Sequence, residues 1–205
     1  NETKLITLEY KGGKKNEKSI VFLGKGITYD TGGLNVKPSG AMHDMHLDMS
    51  GGAAVIATVI TAAKLGLKKN VVGIVPAAEN AISNTAMRSV DIVTSMSCKT
   101  IEVIHTDAEG RMVLADGLTY AARYTPRVII DAATLTGAAL VALGQHASAI
   151  MTKDQKLEQV LRDLGETTGD YVWPLPLWDE YKQYIKSDRA DVANIAPSFS
   201  RNGGT

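Results

Sequence analysis

The sequence predicts an α/β fold with a mixed, mostly parallel central sheet and helices on both faces. Three observations predict it. Apolar, β-branched runs such as "NVVGIVPAAEN" and "RVIIDAATLTG" read as strands covered on both faces. Helical stretches, "DMSGGAAVIATVITAAKLGL" and "EGRMVLADGLTYAARY", fall between such runs, so strand and helix alternate along the chain. An early strand pair, "LITLEY" and "SIVFLGKGI", adds the antiparallel element.

Residues 5 to 27 predict a hairpin, because the polar "KGGKKNEK" separates those two strand-like runs. From Asp48 onward, small and apolar residues predict a largely buried helix closed by Gly66. "TIEVIHTD" reads as a strand leading into "HTDAEGR", where Thr106 and Glu109 have the spacing of a capping box for the next helix. "ASAIMT" and "DQKLEQVLRDLGE" continue the alternation, and no internal repeat or low-complexity segment interrupts it. A chain of 205 residues with 44% hydrophobic composition can bury a core of its own, and one domain over 1–205 is expected. Trp173 and Trp178 in "YVWPLPLWDEY" are expected to be core or subunit-contact residues, and the closing "SRNGGT" a glycine-rich turn.

Lys plus Arg and Asp plus Glu each total 22, so the formal charge is zero and no global field draws the chain to nucleic acid or anionic lipid. Local clusters must carry any electrostatic chemistry. One cysteine, Cys98, excludes an intrachain disulfide framework and reads as a small buried hydrophobe. The first residues have no apolar signal core, and the apolar runs are broken before a span of roughly 20 residues, so no membrane and a cytoplasmic location are expected. His43 and His46 lack the spacing of a zinc site and read as solvated or capping. A phosphate loop is excluded at "LGKGIT", because Ser19 and Gly26 stand where that pattern needs Gly and Ser or Thr; no G-x-S-x-G occurs either.

In open α/β sheets, sites form beyond the carboxyl ends of strands. That rule sorts the charged residues. "GKGITYDTGG" presents Lys25 and Asp30, "HTDAEGR" presents Asp107, Glu109 and Arg111, and Asp48 stands at the start of the long apolar helix. Four carboxylates converging out of water would repel one another unless cations neutralise them. Two divalent metals resolve that conflict: carboxylates can bridge ions roughly 3.5–4 Å apart, and such a pair activates a water near neutral pH. Lys25 can join as a nitrogen ligand only if neutral, whereas Lys37 can stay charged and polarise a substrate carbonyl.

Together, "GKGITYDTGGLNVKPSGAMHDMHLDMSGG", "HTDAEGRMVLADGL" and "DAATLTGA" resemble the catalytic domain of the leucyl aminopeptidase family, from about residue 19 to the end. Members are dinuclear zinc or manganese peptidases that release N-terminal residues, leucine-like ones preferred, from peptides with a free N-terminus. Carried over, the resemblance makes Lys25, Asp30, Asp48, Asp107 and Glu109 the metal ligands, with Asp30 and Glu109 bridging. Lys25 and Asp48 would serve the tighter site and Asp107 the more exchangeable one. Lys37 would polarise the scissile carbonyl. Arg111, helped by backbone near Leu135, would hold a bicarbonate that shuttles protons, and Met45, Thr134 and Gly137 would line the pocket for the first side chain. A homo-oligomer, a hexamer, is implied as well.

The chain departs from the family where His105 replaces the usual Asn, a change that bears on the substrate pocket. The family's amino-terminal domain and the last part of its catalytic domain have no counterpart in these residues, so a segment of a longer protein is expected. Two other readings share parts of the pattern. A two-metal phosphoesterase would use the same carboxylate logic, with only Arg111 to hold phosphate. A non-catalytic scaffold subunit would be favoured by loss of Lys25, Lys37 or Arg111, and all three are present.

Overall fold

A computed structural model describes residues 2–196. Its strands are β1 (Lys4–Lys11), β2 (Ile20–Gly24), β3 (Gly26–Asp30), β4 (Asn70–Asn80), β5 (Ile92–Thr94), β6 (Thr100–Glu102), β7 (Val128–Ala132), β8 (Ala147–Ile150), β9 (Tyr171–Pro174) and β10 (Val192–Ala193). The helices are α1 (Ser50–Lys64), α2 (Gly110–Ala121), α3 (Gly137–Leu143) and α4 (Gln155–Thr168). The expected turn at "SRNGGT" lies outside the described residues.

The main sheet runs β1-β4-β2-β7, with β3 also paired to β4. β2, β3 and β7 are parallel to their neighbours and β1 is antiparallel, as a mixed, mostly parallel sheet requires. Alternation along β2 and β4 divides their side chains between two faces. Val21, Leu23, Val72 and Ile74 pack with Leu114 and Ala121 of α2. On the opposite face Phe22 and Val71 meet Val59 and Ala62 of α1. Helices thus cover both faces, and each fully buried aliphatic side chain such as Leu23 contributes roughly 1.5–3 kcal/mol.

Strands β2 and β3 follow one another along β4, interrupted at Lys25, whose amide turns aside to the carbonyl of Ala132 at 3.0 Å. Helix α1 starts against this break, where Gly52 donates its amide to the Lys25 carbonyl at 2.8 Å. Only glycine permits that approach: a Cβ at Gly51 would lie 2.0 Å from the Ala132 carbonyl oxygen, and one at Gly24 2.5 Å from that of Gly51. The close seat brings Asp48, just ahead of α1, to the side chain of Lys25.

Several local expectations are corrected. β1 and β2 form no hairpin, because β4 lies between them. The polar "KGGKKNEK" wraps the start of β4 instead, with the Asn70 amide donating to the carbonyls of Lys14 and Glu17 and Lys69 paired to Glu17. β6 belongs to a separate sheet, β10-β6-β5, and among the described residues β8 pairs only with β9. Helix α1 buries one stripe, Gly51, Gly52, Val55, Val59 and Ala62, rather than most of its surface. Met45–Lys64 is long and apolar enough to cross a membrane by length and composition alone; here its glycines sit on the sheet and Asp48 is buried among charged side chains. Cys98 is exposed in a turn at φ 66°. Trp173 and Trp178 are exposed too, Trp173 under the Arg162 guanidinium and Trp178 stacked on Tyr181, so neither is a core residue.

Candidate metal centre

Four parts of the chain meet at the carboxyl end of the main sheet. Lys25 occupies the break after β2, Asp30 ends β3, Asp48 precedes α1, and Asp107 with Glu109 leads into α2. The last two come from the small second sheet, not from the sheet edge the other residues share. Their loop is fastened on two sides. Asn194 of β10's end accepts from the amide of Ile104 and donates to the carbonyl of His105 at 2.7 Å. Thr106, fully buried, donates its hydroxyl to the Gly32 carbonyl at 2.6 Å and accepts from the Asn35 amide at 2.8 Å. Thr106 therefore caps no helix; Glu109 is the N-cap of α2 without a side-chain cap bond, and its carboxylate turns into the cluster.

Lys25, Asp30, Asp48 and Glu109 are 3%, 3%, 6% and 5% exposed, so water cannot screen their charges. The Lys25 ammonium lies 2.7 Å from Asp48 Oδ2 and 3.0 Å from Glu109 Oε1. It also donates to the Thr134 carbonyl at 3.1 Å, while the Thr134 hydroxyl donates to Asp48 Oδ1 at 2.7 Å. A second grouping sits alongside. Lys37 lies 2.9 Å from Asp30 Oδ2 and 2.5 Å from Asp107 Oδ1. Oxygens of Asp30, Asp107 and Glu109 all fall within 4.8 Å of one another. Glu109 is common to both groupings.

Two ammoniums face four carboxylates, and they do not satisfy them. Among the described residues, Asp48 Oδ2, Asp107 Oδ1 and Glu109 Oε1 are buried without a hydrogen-bond partner, since the nearby lysines approach outside hydrogen-bond geometry. Burial raises the Glu109 carboxyl above its ordinary value against the lowering pull of Lys25. For Lys37 burial opposes the charge, but the close carboxylates of Asp107 and Asp30 outweigh it and raise its pKa. Buried carboxylate oxygens that the lysines neutralise only in part, converging from several elements with one lysine nitrogen among them, suit hard or borderline divalent cations. The shared Glu109 suits two of them.

Beside the cluster opens a cavity of about 430 Å³ lined by Asn35, Val36, Lys37, Pro38, His105 and Asp107. Thr134, as described, touches the cluster directly. Met45 is half-buried in the short 3-10 turn before Asp48, whereas Leu135 and Gly137 are exposed ahead of and at the start of α3. Arg111 is half-buried in the first turn of α2, and among the described residues it makes no ion pair or hydrogen bond. Burial lowers its pKa, partly offset by Glu109. Arg111, Met45, Leu135 and Gly137 are not among the cavity's lining residues.

The catalytic-domain model of the cytosol aminopeptidase family matches residues 1–205. The chain belongs to this family. Its curated relatives include the probable cytosol aminopeptidase of Nitrosococcus oceani, 50% identical over 202 residues, which are 98% of this chain and 40% of that protein. Another, from Nitrosospira multiformis, is 53% identical over 192 residues, 94% of this chain and 37% of that protein. The chain thus spans about two-fifths of the length of these relatives. Among solved structures, leucyl aminopeptidase from Trypanosoma brucei in complex with actinonin superposes with a TM-score of 0.94 at 38% identity, covering 98% of this chain and 40% of that one. The bottromycin maturation enzyme BotP in complex with Mn gives 0.89 at 38% identity, over 98% of this chain and 43% of that one.

Cytosol aminopeptidase motifs point to the acids but not to the neutral residues that hold them. Asn80, at the end of β4, donates to Asp30 and to Glu109. Asn35 accepts from the Thr106 amide at 2.8 Å and from the Ser89 hydroxyl at 3.0 Å. The strand-end rule that singles out Lys25 and Asp30 applies equally to Asn80, the last residue of "NVVGIVPAAEN". For Thr106 and Asn35 no local signal exists, because their partners are about 70 positions away; the Asn35 amide meets Thr106 across a separation of 71.

Proposed function

We propose that residues 1–205 form the catalytic portion of a cytosolic, dinuclear metallo-aminopeptidase that releases N-terminal amino acids, leucine-like ones preferred, from peptides. One observation carries this reading. Glu109 belongs to two adjoining groups of buried, undersatisfied carboxylates, which is the arrangement a pair of divalent cations needs. Lys25, Asp30, Asp48, Asp107 and Glu109 would hold the zinc or manganese ions. When bound, such ions supply an activated water and a Lewis acid for the scissile carbonyl.

The remaining steps belong to the chain's own side chains. Lys37 keeps its proton, held by Asp107 and Asp30, and faces the cavity, where its ammonium can donate to the carbonyl oxygen as negative charge grows there. Arg111, desolvated and unpaired among the described residues, would retain a bicarbonate with backbone near Leu135 and so keep a proton acceptor beside the reacting bond. Thr134, with Met45 and Gly137, would border the first side chain, and the Thr134 hydroxyl already fixes the orientation of Asp48. A hexameric assembly completes this reading.

Metal removal tests it. Dialysis of the full chain against a chelator is expected to abolish hydrolysis of leucine amide, and zinc, manganese or cobalt to restore it. Full activity in the metal-free protein would overturn the mechanism.

A further inference from the structure

The Asn80 side chain lies between two of the acids. Its backbone is fixed first: β4 and β3 pair Asn80 with Asp30, and the Asn80 carbonyl accepts from the amide and the hydroxyl of Thr31 at 2.8 and 2.9 Å. From that anchored position Nδ2 reaches Asp30 Oδ1 at 2.8 Å, the Thr106 carbonyl at 3.1 Å and Glu109 Oε2 at 3.3 Å. All three partners are pure acceptors, so the amide must turn its NH₂ toward them.

The bonds select one oxygen of each acid. Asp30 Oδ1 and Glu109 Oε2 go to Asn80, while Asp30 Oδ2 faces Lys37 at 2.9 Å and Glu109 Oε1 faces Lys25 at 3.0 Å. The Gly32 amide also donates to Asp30 Oδ1 at 2.9 Å, which doubles the hold on that oxygen. An amide suits this place for a charge reason. A lysine there would compete with a dication, and an aspartate would add a fifth carboxylate to the cluster; the amide donates and adds no charge.

We propose that Asn80 is a positioning residue that orients Asp30 and Glu109, holding the outer oxygen of each so that the inner oxygen faces the shared interior of the cluster. This rests on the metal-pair reading above. Outer partners of ligating carboxylates typically change metal affinity by 10–100-fold when removed.

The test titrates the metal-free full chain with Mn²⁺, following affinity by calorimetry and the spin coupling of a Mn pair by electron paramagnetic resonance. Asn80→Ala is expected to weaken at least one Mn²⁺ site roughly 10-fold or more and to alter the coupled signal. Asn80→Leu, which keeps the side-chain shape and removes the donor, is expected to do the same and carries the test if the alanine variant does not fold. A role confined to fastening Thr106 would lower the melting temperature of the metal-free protein but leave the coupled signal of the loaded one unchanged. Wild-type binding of two Mn²⁺ with unchanged affinity and coupling in the variants would overturn the role of Asn80 alone. Failure of the wild-type chain to bind a second Mn²⁺ would overturn this proposal and the metal-pair reading together.

Discussion

The Lys25 ammonium stands 3.0 Å from Glu109 Oε1, although Lys25 follows a strand of the main sheet and Glu109 follows a strand of the small second sheet. The candidate centre therefore forms only when the two sheets dock. Close packing behind this pair makes it sensitive to one methyl group. A Cβ on Gly110 would lie 2.7 Å from Lys25 Cε and 2.8 Å from its Nζ, and a lysine only 3% exposed has little room to withdraw. Gly110→Ala is expected to cost about 1–3 kcal/mol in urea unfolding of the metal-free protein and to lower peptidase activity more than 10-fold. Unchanged activity would show that Lys25 can move without consequence.

Thr106 is the pin between the sheets' loops. Its hydroxyl is fully buried and bonded to both Gly32 and Asn35, so Thr106→Val leaves a carbonyl and an amide unsatisfied. A loss of about 1–3 kcal/mol per unsatisfied group is expected by denaturant unfolding. Thr106→Ser, which keeps the hydroxyl, is expected to recover most of it.

Much of this architecture is legible in the sequence, because it is written in local patterns. Continuous apolar runs gave β4 and β7 their assignments, and the strand-end rule brought Lys25 and Asp30 together. Non-local pairing is another matter. β1 alternates as an edge strand should, yet alternation does not say whether its partner is β2 or β4; the wrap of Gly12 to Asn70 decides it through backbone and Asn70 bonds. The "TDAE" spacing fits a capping box locally, but the buried Gly32 carbonyl and Asn35 amide claim the Thr106 hydroxyl. Cys98 is misread for a related reason: its composition suits a core, while the turn at "SMSCKT" holds it outside at positive φ.

Ligand and catalyst separate by substitution. Asp48→Ala removes a carboxylate bonded to both Lys25 and Thr134, and metal content is expected to fall. Lys37→Met is expected to leave metal content intact and lower kcat by roughly 10²-fold or more, the scale of an oxyanion donor. Metal analysis beside steady-state kinetics distinguishes the two. Loss of metal in Lys37→Met would reverse the roles of the two lysines.

Alkaline stability has a defined source in Tyr124. Burial, then its bond to Glu9 at 3.1 Å, raises this phenol to about 12. A folded value above the ordinary one near 10 means that the contribution is complete below about pH 10 and is lost as pH rises toward about 12. Urea unfolding between those limits is expected to show a steeper decline for wild type than for Tyr124→Phe. Parallel declines would remove Tyr124 as the cause.

The most direct measurement of the central claim follows a free peptide and its acetylated twin through digestion by the full, metal-loaded chain, with products identified by mass spectrometry. For Leu-Gly-Gly-Phe, release of leucine first and then of successive residues from the N-terminus is expected, with the acetylated peptide left intact and phosphate esters turned over poorly. Internal cleavage, equal turnover of the two peptides, or efficient hydrolysis of a phosphate ester alone would contradict an aminopeptidase built on this cluster.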